Sequence, residues 1–268
     1  MKNKIIESLK VRGLDITTKK VYKNGVELEG ITIQPNGVNS ICPIIYFDDI
    51  AQMLMDKSYG EVIDELEDIF VDAETPNFSL EFLDDRKCFL SHIYVGMQRA
   101  SEQDIIKRPC EEMDRETELY LYIRDDTDND GGFFSCKVNK SLLDRVNCSE
   151  EDAWASAIHN TCEESTLIGM SKMLFGEESD DEVIYILTNK LCVNGASSII
   201  NRGLLERFAK EKGVDRLIVI PSSTDELLII PTANESDKEN LTGIIKSVNE
   251  EAVEPRKRLA ERPYTIAV

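Results

Sequence analysis

Three groups of residues have types and spacings that could do chemistry. His159 and Cys162 lie three residues apart, so on a helix they share a face. A thiolate next to an imidazole base is the working pair of a cysteine hydrolase. That chemistry needs the base aimed at the nucleophile, an unusual geometry for two side chains of one regular helix. The plainer alternative is a surface histidine beside a buried thiol. Second, Asp126, Asp128, Asp130 and Gly131 spell Asp-x-Asp-x-Asp-Gly, the first half of a calcium loop, with apolar Phe133 at position eight. Position twelve is Lys137, where a bidentate acid is required, and strand-like residues follow where a helix should begin. The segment therefore reads as an acidic hairpin tip, and a metal, if held, would use those three aspartates. Third, Ser222 and Ser223 stand beside Asp225 and Glu226 after Pro221. They suit a nucleophile or a polar grip on a ligand, yet the Gly-x-Ser-x-Gly elbow is missing and the same residues make ordinary turns. With Asn189 and Asn194 they form the candidate binding set, and Ser223 joins His159 and Cys162 as a candidate catalytic residue. Val193-Asn194-Gly195-Ala196 contains one glycine, so no phosphate loop is present and no cofactor is expected.

These residues need elements to hold them. Asn24-Gly25 is a pair favoured in two-residue hairpin turns, flanked by strands over 17–22 and 26–33. Apolar residues shift phase from Val26 and Leu28 to Ile31 and Ile33, which predicts a bulge at Gly30. A short helix precedes the hairpin. A strand over 44–47 and two helices, to about Lys57 and through Val62, Leu66 and Ile69, follow it. Leu119, Leu121 and Ile123 alternate with polar or amphipathic residues, and Phe134, Cys136 and Val138 return as a hairpin partner. Ser149 followed by Glu150, Glu151 and Asp152 starts a helix whose apolar face is Ala153, Trp154, Ala157 and Ile158. Residues 166–174 read as a further helix ended by Gly176. The last third reads strand (183–187), strand (196–200), helix ended by Gly213, strand (217–220), strand (227–230), then a helix starting at Ser236 or Asp237. The fold class expected is α+β, with antiparallel sheets built from hairpins, covered by helices, and a C-terminal ββαββα unit. Two subdomains are expected, 1–115 and 116–268.

Composition narrows the function. Acids number 51 against 31 bases, a formal net charge of −20 over 268 residues. Nucleic acids and anionic lipid are themselves polyanions, and the longest basic run is Arg256-Lys257-Arg258. Direct binding to either is disfavoured, whereas a protein partner with a basic surface is not. Seven cysteines, with no Cys-x-x-Cys pair, indicate reduced thiols and a cytoplasmic setting. The N-terminus lacks the apolar stretch of a signal peptide, and no apolar run reaches membrane-spanning length.

Several phrases in order resemble a family: Asn24-Gly25 with Leu28-Glu29-Gly30-Ile31-Thr32-Ile33, Leu187-Thr188-Asn189-Lys190, Asn194-Gly195-Ala196, Pro221-Ser222-Ser223, Val248-Asn249 and Pro263-Tyr264. The chain is similar over nearly its whole length to domain-of-unknown-function family 5688 of gut Firmicutes. The resemblance implies an intracellular protein and carries no activity. Relatives often have His before Glu in Pro-Ser-Ser-x-His-Glu, where this chain has Asp225 before Glu226, so acid–base work by that histidine would be missing. The expectation is a cytoplasmic bacterial or mobile-element protein. It binds another macromolecule without catalysis, for instance as an acidic inhibitor or decoy of a nucleic-acid-handling partner. The alternative is a hydrolase using Cys162 and His159 or the Ser222/Ser223 loop.

Overall fold

A computed structural model describes residues 1–33, 44–73, 83–125, 134–177, 179, 181–233 and 241–268. The chain divides into two compact units, Met1–Ser79 and Leu80–Val268.

In the first unit, α1 (Lys2–Val11) leads into the hairpin β1 (Ile16–Lys23) and β2 (Val26–Ile33). Asn24 and Gly25 both take positive φ, 50° and 79°, as the two-residue turn requires. Pairing runs unbroken from Lys23↔Val26 to Ile16↔Ile33, so the bulge expected at Gly30 is absent. The phase change is real, but it puts Leu28 and the Ile31/Ile33 pair on opposite faces, all buried. Gly30 answers a different need: β3 (Ile45–Tyr46) crosses so close that a Cβ there would sit 2.6 Å from the Ile45 carbonyl oxygen. Helices α2 (Phe47–Asp56) and α3 (Tyr59–Ala73) complete a core of Ile5, Leu9, Ile31, Phe47, Ile50, Leu66 and Phe70.

The second unit opens with α4 (Arg86–Ser91), capped by Asp85 accepting from the Cys88 N–H at 2.7 Å. β4 (Ile93–Arg99) and β5 (Lys107–Pro109) both pair with β6 (Thr117–Asp125), and β7 (Phe134–Lys137) adds to the end of β6. Residues on either side of position 115 thus share one sheet, and the units part between Ser79 and Leu80 instead. The period-two pattern sets both faces. Ile93, Val95, Met97, Leu119, Leu121 and Ile123 enter the core, while Tyr94, Gly96, Gln98, Glu118, Tyr120, Tyr122 and Arg124 take the other side.

After α5 (Lys140–Arg145), α6 (Glu150–Glu164) lays Ala153, Trp154 and Ala157 into that core. The Ser149 hydroxyl caps it, accepting from the Asp152 N–H at 3.1 Å. α6 also closes the outer edge of β4. Thr161 Oγ1 accepts from the Val95 N–H, and Asn160 donates to the Ile93 carbonyl, both at 2.9 Å.

The helix expected over 166–174 divides. Its first part is β8 (Ser165–Gly169), and only α7 (Met170–Phe175) is helical, ending at Gly176 with φ 77°. β-Branched Thr166 and Ile168 pair with Thr188 and Ile186 of β9 (Tyr185–Asn189), so tertiary pairing overrides the helical spacing. The strand expected over 196–200 is a 3₁₀ turn, Gly195–Ile200. Next come α8 (Arg202–Lys212), β10 (Arg216–Ile220), β11 (Leu227–Thr232), α9 (Leu241–Ala252) and β12 (Tyr264–Ala267). The sheet order is β12-β10-β11-β9-β8. One face carries Leu187, Leu217, Val219 and Ile229 against α8, and the other carries Ile218 and Ile220 against Ile245 of α9. The expected start of the last helix, Ser236 or Asp237, lies outside the described residues. The protein is α+β with antiparallel sheets and helices against them. Its C-terminal part departs from ββαββα, because 196–200 is not a strand and β12 closes the sheet.

Candidate functional site

The Pro221–Glu226 connection between β10 and β11 meets the turn after β9. Asn194 adopts the left-handed conformation, φ 55°, and its N–H donates to Asp225 Oδ1 at 3.0 Å. The other carboxylate oxygen of Asp225 pairs with Lys257 Nζ at 2.8 Å, and its carbonyl accepts from Thr188 Oγ1 at 2.7 Å. Gly195 lies in the angle between them: a Cβ there would be 2.5 Å from the Asp225 carbonyl and 2.8 Å from the Asn189 nitrogen. Asn189 holds the turn, accepting from the Leu191 N–H at 3.1 Å and donating to the Val193 carbonyl at 2.7 Å.

Both serine hydroxyls work locally. Ser222 Oγ donates to Glu226 Oε1 at 3.3 Å, and Ser223 Oγ accepts from the Asp225 N–H at 3.1 Å. Among the described residues no histidine or lysine hydrogen-bonds to either hydroxyl. The structure thus brings Asn189, Asn194, Ser222, Ser223, Asp225 and Glu226 into one neighbourhood, and their bonds knit two turns together.

His159 is exposed on α6, and Cys162 is half-buried near its end. Burial, with Glu163 alongside, pushes the Cys162 thiol up, away from the thiolate a nucleophile needs. Asp126, Asp128 and Asp130 lie outside the described residues. Among the described residues, no group of three or more His, Cys, Asp or Glu side chains could hold a metal ion.

The polar face of the β4–β6 sheet escaped the sequence reading. Arg124, 1% exposed, donates from Nη2 to both carboxylate oxygens of Glu164, at 2.8 and 2.9 Å, and its guanidinium lies 4.0 Å from the centre of the Tyr94 ring. Tyr120 lies across Gly96, where a Cβ would be 2.5 Å from the ring, and Lys137 caps Tyr120 from 4.7 Å. Burial pushes the Tyr120 phenol up, with Tyr122 and the Asp225 carboxylate adding to the shift. Burial pushes the Tyr122 phenol up as well, and the nearby Asn194 side chain moderates that rise. The tyrosine face therefore abuts the Asn194–Asp225 junction. Its one sequence signal was the alternation Leu119-Tyr120-Leu121-Tyr122-Ile123-Arg124, in which every second residue is aromatic or cationic rather than merely polar.

A second missed feature is outward-facing. Met173, Leu174 and Phe175 of α7 are 41%, 64% and 78% exposed, and Val183 nearby in sequence is 61% exposed. Beside α7, the edge strand β8 borders a cleft of about 300 Å³ whose lining includes Leu167, Gly169, Glu182, Tyr185, Phe208 and Lys212.

Fold and site together define an acidic α+β protein whose sequence-conspicuous loops serve as structural joints. The chain belongs to a family of unknown function, DUF5688, whose model matches residues 1–266. No curated protein and no solved structure matches it. No helix of the described residues is long and apolar enough to cross a membrane.

Proposed function

We propose that this protein is a non-enzymatic module that binds another protein through an acidic surface with an apolar centre. The observation that supports the reading is the exposed run Met173-Leu174-Phe175 on α7. Three successive large apolar side chains at such exposure are unfavourable in water unless something covers them. The surroundings are acidic, with Glu177, Asp181 and Glu182 following α7, and the whole chain carries −20. A partner with a basic surface suits that field, and a nucleic-acid-handling protein is the natural class. The chain would then act in the cytoplasm as an inhibitor or decoy. The hydrolase alternative has no supporting geometry, since the Cys162 thiol is shifted away from its reactive form and the serine hydroxyls serve the turn.

The test is affinity capture from the native host with wild type and with Leu174→Asp/Phe175→Asp, at low and high salt. Specific partners are expected to be lost from the double variant, with its circular dichroism and melting unchanged. Their binding is expected to fall steeply with salt. Partners retained by the variant, or affinity indifferent to salt, would overturn the reading.

A further inference from the structure

The edges of the two larger sheets are treated differently. On β4, the edge of the smaller sheet, Thr161 and Asn160 of α6 take up outward backbone groups. β8 ends the five-stranded sheet, and among the described residues it has no such cover. Its ladder with β9 continues at both ends: the Lys190 N–H donates to the Glu164 carbonyl at 3.2 Å, and the Met170 N–H to the Ile184 carbonyl at 3.0 Å. Antiparallel pairing alternates, so 164, 166, 168 and 170 bond inward to β9 while Leu167 and Gly169 turn N–H and C=O to the open side. The Ser165 N–H is spoken for by the Cys162 carbonyl. Among the described residues nothing hydrogen-bonds the Leu167 or Gly169 N–H. An uncovered edge of this kind is a template for another strand.

The cleft lies along this edge. Its floor is Tyr185 packed edge-on against Phe208, ring centres 4.7 Å apart, with Lys212 over the Tyr185 ring. Glu182 and Glu211 stand among its walls. A strand laid on β8 directs alternate side chains to that face, so its apolar residues would meet Tyr185 and Phe208, while the basic residues between them point away from the cleft into the field of the acidic chain. Exposed Glu163 precedes β8, and Glu177 and Asp181 follow α7. A second copy of this chain would bring two bodies of charge −20 together, whereas a basic segment is attracted.

We propose that β8 is the docking strand: an extended segment of a partner protein, with basic and apolar residues in alternation, adds to the sheet along Leu167–Gly169 and seats one apolar side chain in the cleft. The proposal rests on the protein-binding reading above and names its site and occupant.

The probe is an acetylated, amidated heptapeptide alternating lysine and valine, compared with the same peptide fully N-methylated on its backbone. Binding is read by fluorescence anisotropy, and amide hydrogen exchange by nuclear magnetic resonance. The Leu167 and Gly169 amides are expected to gain at least about tenfold protection, because a strand hydrogen bond shields them. The N-methylated peptide is expected not to bind. Gly169→Pro removes one outward N–H at a position whose φ, −59°, already suits proline, and Glu182 must give up its bond from the Ser171 N–H to admit the ring. It is expected to weaken the peptide at least about fivefold with native circular dichroism retained and a modest decrease in melting. Absence of binding, binding that leaves both amides unprotected, or full affinity after Gly169→Pro would each overturn strand addition. Protection of these amides by self-association alone would reassign the edge to a second copy. Loss of partners from the α7 double variant, with strand addition failing, would leave the broader reading standing.

Discussion

Replacing Glu164 by alanine strands the guanidinium of Arg124, and the size of the effect follows from where that group sits. Arg124 is 1% exposed, so its charge has little water to fall back on. Removing one partner of a buried pair costs about 3–5 kcal/mol, because the other charge remains desolvated. The Glu164 side chain is 21% exposed, so some solvent reaches the vacated site. The stacked Tyr94 ring and the Tyr122 phenol still face the cation. Both considerations move Glu164→Ala to the lower end of that range or somewhat below it, about 2–4 kcal/mol. For a domain of this size that is a melting decrease of roughly 5–15 °C. The sole tryptophan, Trp154, is buried in the core on the other face of the same sheet, so its fluorescence during urea unfolding reports on this unit. Arg124→Met/Glu164→Leu removes both charges and is expected to recover to within about 1 kcal/mol of wild type, as paired replacement of buried ions does. A Glu164→Ala cost below about 1 kcal/mol, or a double variant no better than the single, would show that the pair is effectively hydrated and refute the reasoning.

Three further outcomes are expected. Gly195→Ala forces a methyl against the Asp225 carbonyl and the Asn189 nitrogen, backbone atoms that cannot rotate away, so urea unfolding should show a loss of about 1–3 kcal/mol. Arg262 and the Tyr264 hydroxyl hold the Glu116 carboxyl below its usual range. A depressed folded value stabilises above the unfolded pKa, near ~4.3, and that contribution disappears as pH falls through the folded value, so Glu116→Gln should flatten the melting–pH curve on the acid side. Burial, with Glu112 reinforcing it, pushes the Cys110 thiol up to about 12, so in a thiol-titration time course the exposed Cys136 and Cys192 should label well before Cys110, which reacts only on unfolding.

Much of the scaffold was legible because its signals are local. Asn24-Gly25 names its own turn, Ser149 and the acids after it name a helix start, and Gly176 and Gly213 name helix ends through positive φ. Where local signals were weak or mixed, distant partners decided. Residues 166–168 fit a helix by spacing, but β9 offered a ladder. Residues 196–200 look like a strand, yet Ser198 Oγ donates to the Thr188 carbonyl at 2.8 Å and Gly195 must fit under Asp225, which coils the segment. For the site, the sequence offered Asn189, Asn194, Ser222, Ser223, Asp225 and Glu226 as a binding set on residue type and turn context alone. It did not reveal that their hydrogen bonds are spent within the two turns and on Thr188 and Lys257.

By itself the sequence determined the α+β class, the charge of −20 and the family, since composition, short-range periodicity and an ordered set of phrases are properties of the string. Tertiary structure alone decided which strand edge α6 covers, which hydroxyls are engaged and which face Arg124 is buried in. Each depends on groups tens of residues apart: Thr161 reaching Val95, Asp225 reaching Asn194, Glu164 reaching Arg124. Hydrogen bonds and burial act through distance in space, and a linear chain states that distance only after it has folded.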